Sequence, residues 1–145
     1  MLFRSKNVSG IRCVSSPSMF NLHQVDLSGD IWVCEGESDC LVLAQAGLQA
    51  TSVASAAIAP SVDECARLSA AKRIFLAGDN DGAVGTAAME ALRQRLPKEK
   101  THIIRWQNGC KDANDVLTNE CGNDPEKFKV IIRGLSSEIL VGVKS

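Results

Sequence analysis

The chain has 145 residues, of which 45% are hydrophobic and 23% are charged, values that are typical of a soluble globular protein with a single core. Its net charge of −1 excludes the overall basic character of a free-standing nucleic-acid-binding domain. Any nucleic acid must therefore be held by a local patch, a metal ion or a neighbouring domain. No run approaches the ~20 apolar residues that cross a membrane. No amino-terminal apolar signal region is present either, so we expect a cytoplasmic protein without membrane partners.

The six cysteines are not spaced as metal ligands, since no two of them form a C-x-x-C pair. Cys34, Cys40 and Cys65 lie among apolar neighbours in the sequence. We therefore expect reduced thiols in the core rather than disulfides.

The hydrophobic pattern divides the chain into a lead-in segment, 1–29, and one domain, 30–145. The lead-in segment is rich in Ser and Asn and weakly periodic, which is typical of the end of a preceding region. In the domain, short apolar runs predict strands at 31–34, 51–54, 73–77, 102–106 and, as an edge strand, 139–143. Helical patterns predict helices from about Asp39 to Gly47, after the capping box of Ser61 and Glu64, between Gly82 and Pro97, from Lys111 to near Gly122, and after Asp124.

Strands that alternate with helices predict an α/β fold, with a mostly parallel central sheet of about four strands flanked by helices. The carboxyl ends of such strands lie along one edge of the sheet, and ligands bind in the crevice outside that edge. Acidic residues follow three of the predicted strands: Glu35, then Asp79 with Asp81, then Asp112. We therefore expect these side chains to converge in space.

Carboxylates that lie close together repel one another unless a cation is present. Oxygen ligands without His or Cys select hard ions, chiefly Mg²⁺. Such an ion can bridge phosphate oxygens and stabilise the charge that develops in phosphoryl transfer. Gly36 and Gly82, beside the acids, would allow the backbone to approach phosphate closely.

Three motifs, in the expected order, resemble the TOPRIM family and in particular the TOPRIM domains of bacterial and phage DNA primases and primase–helicases. Residues 33–39 (VCEGESD) resemble the first motif, in which an apolar strand is followed by Glu-Gly and a further acid. Residues 79–82 (DNDG) resemble the Asp-x-Asp motif, and residues 111–117 (KDANDVL) resemble the downstream acidic segment of primases. The resemblance covers roughly residues 30–120.

The resemblance implies a Rossmann-like TOPRIM fold and nucleotidyl transfer that depends on Mg²⁺ or Mn²⁺, with single-stranded DNA and nucleoside triphosphates as substrates. It implies that Glu35 acts as a general acid/base or metal-linked acid, and that Asp79 and Asp81 bind metal. Further residues would stand at the edge of the site: Asp39, Lys111, Asp112 and Asp115. A replicative helicase or other domains of a larger primase are the implied partners, and the chain is interpreted as a fragment or a single-domain relative.

Several of these residues also have a structural interpretation. Asp112 equally suits a helix cap, and Asp39, at a helix start, is interpreted as mainly structural. Lys111 is interpreted as solvated. Asp79 and Asp81 could form a surface turn, but a metal site is favoured because they follow a buried strand next to Glu35.

Other functions remain open at this stage. A TOPRIM nuclease would use the same metal site, and a non-catalytic interaction module could keep the same fold. Residues 75–82 (FLAGDNDG) also resemble the Asp-x-Asp segment of haloacid-dehalogenase phosphatases, but that comparison leaves Glu35-Gly36 unexplained. The chain has no tyrosine, which excludes a topoisomerase acting unaided, and no G-x-x-x-x-G-K-[ST] loop of a helicase motor.

Overall fold

The computed structural model describes residues 19–53, 59–79, 83–106 and 109–144. Four parallel strands form one sheet in the order β2-β1-β3-β4. The strands are β1 (Asp30–Cys34), β2 (Ala50–Ser52), β3 (Arg73–Ala77) and β4 (Thr101–Ile103). The helices are α1 (Glu37–Gln45), α2 (Val62–Ser69), α3 (Ala83–Gln94), α4 (Ala113–Asp115) and α5 (Pro125–Lys144). A π-helical segment, Val116–Glu120, continues α4, and single 3₁₀ turns occupy Leu22–Gln24 and Lys98–Lys100. The predicted parallel α/β architecture is confirmed.

The two central strands are buried on both faces, which explains their continuous apolar sequences. On one face, Trp32 and Phe75 pack with their ring centroids 5.0 Å apart, beneath α1, α4 and α5. On the other face, Ile31 and Leu76 pack against side chains of α2 and α3. Among the described residues, the sheet therefore forms the middle of three layers, with helices packed on both of its faces.

The pairing of β1 with β3 fixes which loops are neighbours at the carboxyl edge. Their register matches Asp30 with Arg73 at one end and Cys34 with Ala77 at the other. The Arg73 Nε–Asp30 Oδ1 ion pair, 2.7 Å long, lies at the amino end of this ladder. The loops that follow Cys34 and Ala77 consequently start side by side.

The sequence predicted the main elements with differences at their ends. The β3 bounds and the capping box of Ser61 and Glu64 are as predicted. The predicted strand at 102–106 is shorter and begins one residue earlier, although Ile104 N still donates to Leu76 O at 2.9 Å. The helix predicted from about Asp39 begins at Glu37, and Ala54 of the predicted strand 51–54 lies outside the described residues.

The predicted edge strand at 139–143 is wrong, because these residues belong to α5. A short apolar run fits a buried strand and a segment of a helix equally well by its periodicity. The helical pattern that begins at Pro125 continues through this run without a break. Local pattern therefore could not decide the structure of the carboxyl-terminal segment.

The described part of the lead-in segment packs on the sheet. Met19 and Leu22 are buried in the core beside α2. Phe20 pairs antiparallel with Ser52 at the outer side of β2, through N–H···O bonds of 2.9 and 3.2 Å. Met19 N also donates to Glu64 Oε2 at 2.7 Å. The division of the chain at residue 30 stays a prediction.

Two features bear on the environment of the chain. Within the described ranges, no helix combines the length and the hydropathy that a bilayer crossing requires. The five described cysteines are buried free thiols, as predicted, and Cys13 lies outside the described residues.

Gly78, directly after β3, is a glycine at which close packing leaves no room for a side chain. A Cβ placed there would overlap with Cγ of Met89 on α3. We expect Gly78→Ala to lower the free energy of unfolding by about 1–3 kcal/mol, the usual cost of overpacking. Chemical denaturation measures this change. Gly29→Ala is the matched control, since nothing lies within 4 Å of its Cβ position. Equal effects of the two substitutions would contradict the prediction.

Candidate metal centre

Three aspartates from separate parts of the chain meet at the carboxyl edge of the sheet. Asp79 follows β3, Asp112 precedes α4, and Asp39 lies in the first turn of α1. One carboxylate oxygen from each lies within 4.8 Å of those of the other two. An all-oxygen donor set at this spacing fits a hard divalent cation such as Mg²⁺. We call these three residues the carboxylate cluster.

Asp39 is the most buried member of the cluster, with 4% of its surface exposed. Its Oδ1 accepts a 3.0 Å hydrogen bond from Asn114 N, which ties α1 to α4. Burial, helped by the charges of Asp112 and Asp115, raises the pKa of Asp39 to about 6, against the opposing effects of the Asn114 N–H and a hydrogen bond with Asp79. A hydrogen bond between two carboxyl groups needs a proton on one of them. A divalent cation would relieve the same repulsion.

Glu35 lies beside the carboxylate cluster and stabilises the loop that carries Asp79. Its Oε2 accepts a 3.1 Å hydrogen bond from Asp79 N. Its Oε1 is buried and has no hydrogen-bond partner among the described residues. Glu35 is not one of the three carboxylates that the described coordinates bring within 4.8 Å. Of the other predicted residues near this loop, Asp81 and Gly82 lie outside the described residues.

Asp112 both caps a helix and belongs to the cluster. Its Oδ1 accepts a 2.8 Å hydrogen bond from Asp115 N, the capping geometry that the sequence suggested. Asp115 Oδ2 in turn accepts from Lys111 N at 3.1 Å, and Lys111 itself is exposed. A carboxylate has lone pairs on two oxygens, so a cap does not prevent Asp112 from binding a cation.

Gly36 is the N-cap of α1 and lies against Asp39. Its backbone is extended, with φ −116°, a conformation that other residues also adopt. A Cβ at Gly36 would stand 3.6 Å from Asp39 Oδ2, which is ordinary contact. Gly36 therefore leaves open the space directly beside a cluster carboxylate, as close approach of a ligand backbone or phosphate would require.

Sequence reasoning gave too little weight to two residues. Asp39 was interpreted as mainly structural. It does link α1 to α4 through Asn114 N, but it also belongs to the carboxylate cluster. The available signal was its position four residues after Glu35, in the first turn of a helix that begins at Glu37 rather than Asp39. Trp106 gave no signal: its indole Nε1 donates to Gly78 O at 2.9 Å and so supports the loop that carries Asp79.

The raised pKa of Asp39 predicts a pH dependence of stability in metal-free protein. An unfolded aspartate titrates near 3.8, so between pH 4 and about 6 the folded chain binds the proton more tightly and loses stability as pH rises. We expect Asp39→Asn, which keeps an acceptor for Asn114 N, to be more stable than the wild type by about 2 kcal/mol at pH 7 and equal to it at pH 4.

Denaturation with a chelator present, at several pH values, measures this difference. Asp63→Asn is the control, because Asp63 is an exposed aspartate in the first turn of another helix. A stability difference for Asp39→Asn that is the same at both ends of the pH range would contradict the assignment. With Mg²⁺ present at pH 7, the wild type should become more stable than Asp39→Asn, because the ion stabilises only the protein that binds it.

Comparison with known proteins identifies the family and supports the fold. The family described as Toprim-like matches residues 32–117. The chain is 30% identical over 125 residues to the Twinkle homolog protein, chloroplastic/mitochondrial, of Arabidopsis thaliana. It is 29% identical over 125 residues to the Primase homolog protein of the same plant. Each match covers 70% of this chain, but only 18% and 37% of the respective relatives.

Two solved structures share the fold. The primase fragment of the bacteriophage T7 primase-helicase protein superimposes with a TM-score of 0.64 and 25% identity, over 79% of this chain and 48% of that one. The second contains primase domains of two subunits, bound to an RNA/DNA hybrid and dTTP and interacting with the T7 lagging-strand DNA polymerase. Its TM-score is 0.53 at 27% identity, over 71% of this chain and 55% of that one.

The chain thus spans well under two thirds of each of these relatives. The family match, by contrast, extends over more than half of the chain and includes the Glu35, Asp79 and Asp112 loops. The fold superimposes on the T7 primase fragment over 79% of the chain. The chain therefore belongs to the Toprim-like family, as a TOPRIM domain of the primase type.

Proposed function

We propose that this chain is the metal-dependent catalytic module of a primase-type nucleotidyltransferase that acts on nucleic acid. The observation that carries the proposal is the convergence of Asp39, Asp79 and Asp112 within 4.8 Å at the carboxyl edge of the sheet. Open parallel sheets bind ligands at this edge. The primase-type family makes phosphoryl transfer the chemistry that such a cluster would serve.

Mg²⁺, or Mn²⁺ in its place, would be held by the carboxylate cluster, with Asp81 as a further proposed ligand. A bound ion would supply positive charge against the phosphate oxygens. The chain itself fixes the positions of two of these carboxylates through backbone amides. Asn114 N donates to Asp39, and Asp115 N donates to Asp112. Lys111 and Asp115 are proposed to stay at the edge of the site.

Glu35 is proposed as the general acid/base. Its Oε2 is engaged with Asp79 N, whereas its buried Oε1 has no partner among the described residues. An oxygen in this position could accept the proton of an attacking hydroxyl without releasing the Asp79 loop.

Nucleoside triphosphates and a single strand of DNA are the proposed substrates. The solved complex of the T7 lagging-strand DNA polymerase with primase domains, an RNA/DNA hybrid and dTTP supports this choice. Because the net charge is −1 and the chain spans only part of its relatives, we propose that other domains of a larger primase, or a helicase, supply much of the binding to nucleic acid. A cytoplasmic location stays a prediction, since one relative is named chloroplastic/mitochondrial.

The alternative functions differ in the reaction that each would carry out. A TOPRIM nuclease would use the same cluster for cleavage, and an interaction module would not need the metal. A haloacid-dehalogenase phosphatase is disfavoured, because Asp79 follows the third strand of a chain that belongs to the Toprim-like family.

Metal binding provides the first test. We expect Asp79→Asn and Asp112→Asn each to weaken Mn²⁺ binding at least about tenfold, since each removes one charged ligand. Calorimetric titration of the full chain measures the affinity. Glu99→Gln is the matched control, because it removes an exposed carboxylate from the Lys98–Lys100 turn. Equal Mn²⁺ affinities in all four proteins would contradict the proposed centre.

Labelled single-stranded DNA, incubated with Mn²⁺ with and without nucleoside triphosphates, tests the reaction. We expect oligonucleotide products that require both nucleotides and Glu35, so that Glu35→Gln lowers the rate about a hundredfold or more, the usual contribution of a general base. Shortened strands formed without nucleotides would favour the nuclease. Retained partner binding without either product would favour the interaction module.

A further inference from the structure

Strand β4 lies at one end of the sheet and pairs only with β3 among the residues that the structure describes. In a parallel ladder, alternate residues direct their backbone N–H and C=O groups to the same neighbouring strand. Ile104 N donates to Leu76 O of β3 at 2.9 Å, and His102, two residues earlier, faces β3 as well. The backbone groups of Thr101 and Ile103 therefore point outward, at an edge that no described strand covers.

A groove of about 230 Å³ runs along this outer edge. Three consecutive strand residues, Thr101, His102 and Ile103, line it. Because successive side chains point to opposite faces of a sheet, a space that touches all three lies at an edge and not over one face. The inner edge is occupied by β3, so the space lies at the outer edge. We call it the β4 groove.

The rim of the β4 groove carries more positive than negative charge. Arg93 of α3 and Arg105, after β4, line the groove together with one acid, Glu90. Glu90 contacts Arg93 at 3.2 Å. Arg105 is exposed and forms no salt bridge within the described ranges. Its charge is therefore left to attract an anionic partner.

The sequence of β4 suits pairing with a further strand. Soluble proteins commonly protect a free edge with lysine or proline within the edge strand. The strand Thr101–Ile103 contains neither, and two of its three residues are β-branched, as strands prefer. The charges lie beside the strand, on α3 and after β4, rather than within it. The edge is therefore open to another backbone, and its surroundings favour an acidic one.

We propose that the β4 groove binds an extended acidic segment of a partner protein, which adds a fifth strand to the sheet. The backbone of that segment pairs with the outward groups of Thr101 and Ile103, and pairing of this kind supplies affinity without a deep pocket. Side chains of an added strand alternate between the two faces. Acidic residues at every second position would therefore lie on the α3 side, beside Arg93 and Arg105. The inference is independent of the metal centre, because no residue of the carboxylate cluster lines the β4 groove.

A blocked peptide in which Glu and Thr alternate is the probe, added to the full chain and followed by hydrogen exchange of backbone amides in NMR. At saturation we expect exchange at Thr101 and Ile103 to slow about tenfold or more, since their amide protons gain acceptors. The amides of His102 and Ile104 already face β3 and should change less. The same peptide, methylated on its backbone nitrogens, keeps its charges but loses its donors, and should bind about tenfold more weakly.

Two substitutions separate the contributions of charge and backbone. Arg105→Glu should weaken binding of the Glu-Thr peptide about fivefold, the value of one exposed ion pair, and should improve binding of a Lys-Thr peptide. Arg133→Glu makes the same charge change on the exposed surface of α5 and should bind both peptides like the wild type. Ile103→Pro removes an outward N–H and should abolish binding, because proline is tolerated at a free edge but cannot donate there.

Several results would overturn the proposal. One is a Glu-Thr peptide that leaves exchange at Thr101 and Ile103 unchanged. Another is equal affinity of the methylated and unmethylated peptides, which would reduce the effect to charge alone. A single-stranded oligonucleotide that displaces the peptide and perturbs the same amides would assign the rim to nucleic acid instead. If Ile103→Pro does not fold, Arg105→Glu and the methylated peptide decide between these outcomes.

Discussion

The parallel pairing of β1 with β3 is the constraint on which the site depends. Its register matches Cys34 with Ala77, so Glu35 and Gly78 leave the sheet at the same level. Glu35 can then reach one residue further and accept from Asp79 N. A slip of one residue would turn every side chain of β3 to the opposite face of the sheet. Asp79 would then point away from the other aspartates, so the register and the site are specified together.

The acids are held at close range by backbone amides. Asp79 N binds Glu35, Asn114 N binds Asp39, and Asp115 N binds Asp112. Amide donors stabilise carboxylates, and they fix the positions of groups that would otherwise separate by repulsion. The cost remains visible at Asp39, where burial and neighbouring charges raise the pKa to about 6. Stability at neutral pH is therefore lowered in exchange for a preformed arrangement of carboxylates.

The loop after β3, which carries Asp79, is held by contacts from α3 and from the segment after β4. Gly78 has no side chain, so Met89 can pack directly over it on the α3 side. The indole Nε1 of Trp106, in the segment after β4, donates a hydrogen bond to the carbonyl oxygen of Gly78. Asp79, the next residue, belongs to the carboxylate cluster. The packing of Met89 and the hydrogen bond from Trp106 thus fix the turn from which Asp79 reaches the cluster.

Much of this arrangement follows from local signals. Buried apolar runs fixed β1 and β3, the capping box fixed the start of α2, and acids after successive strands indicated a site at the carboxyl edge. Local signals failed where one pattern suits two structures. The apolar run at 139–143 suits a strand or a helix, and only its continuity with α5 makes it helical. Asp39 and Asp112 likewise suit caps or ligands, and sequence position could not separate these roles.

The amino-acid sequence by itself determined the alternation of strands and helices, the family and the strand ends from which acids emerge, because periodicity and turn chemistry act over a few neighbouring residues. Only the tertiary structure decided that Asp39 joins Asp79 and Asp112, that Glu35 braces the loop, and that Trp106 supports it. The hydrogen bond that holds Asp39 in this cluster comes from Asn114 N, 75 positions further along the chain. Such contacts depend on how the layers pack, since a side chain's partner across the sheet is set by register and crossover geometry rather than by its neighbours in the chain.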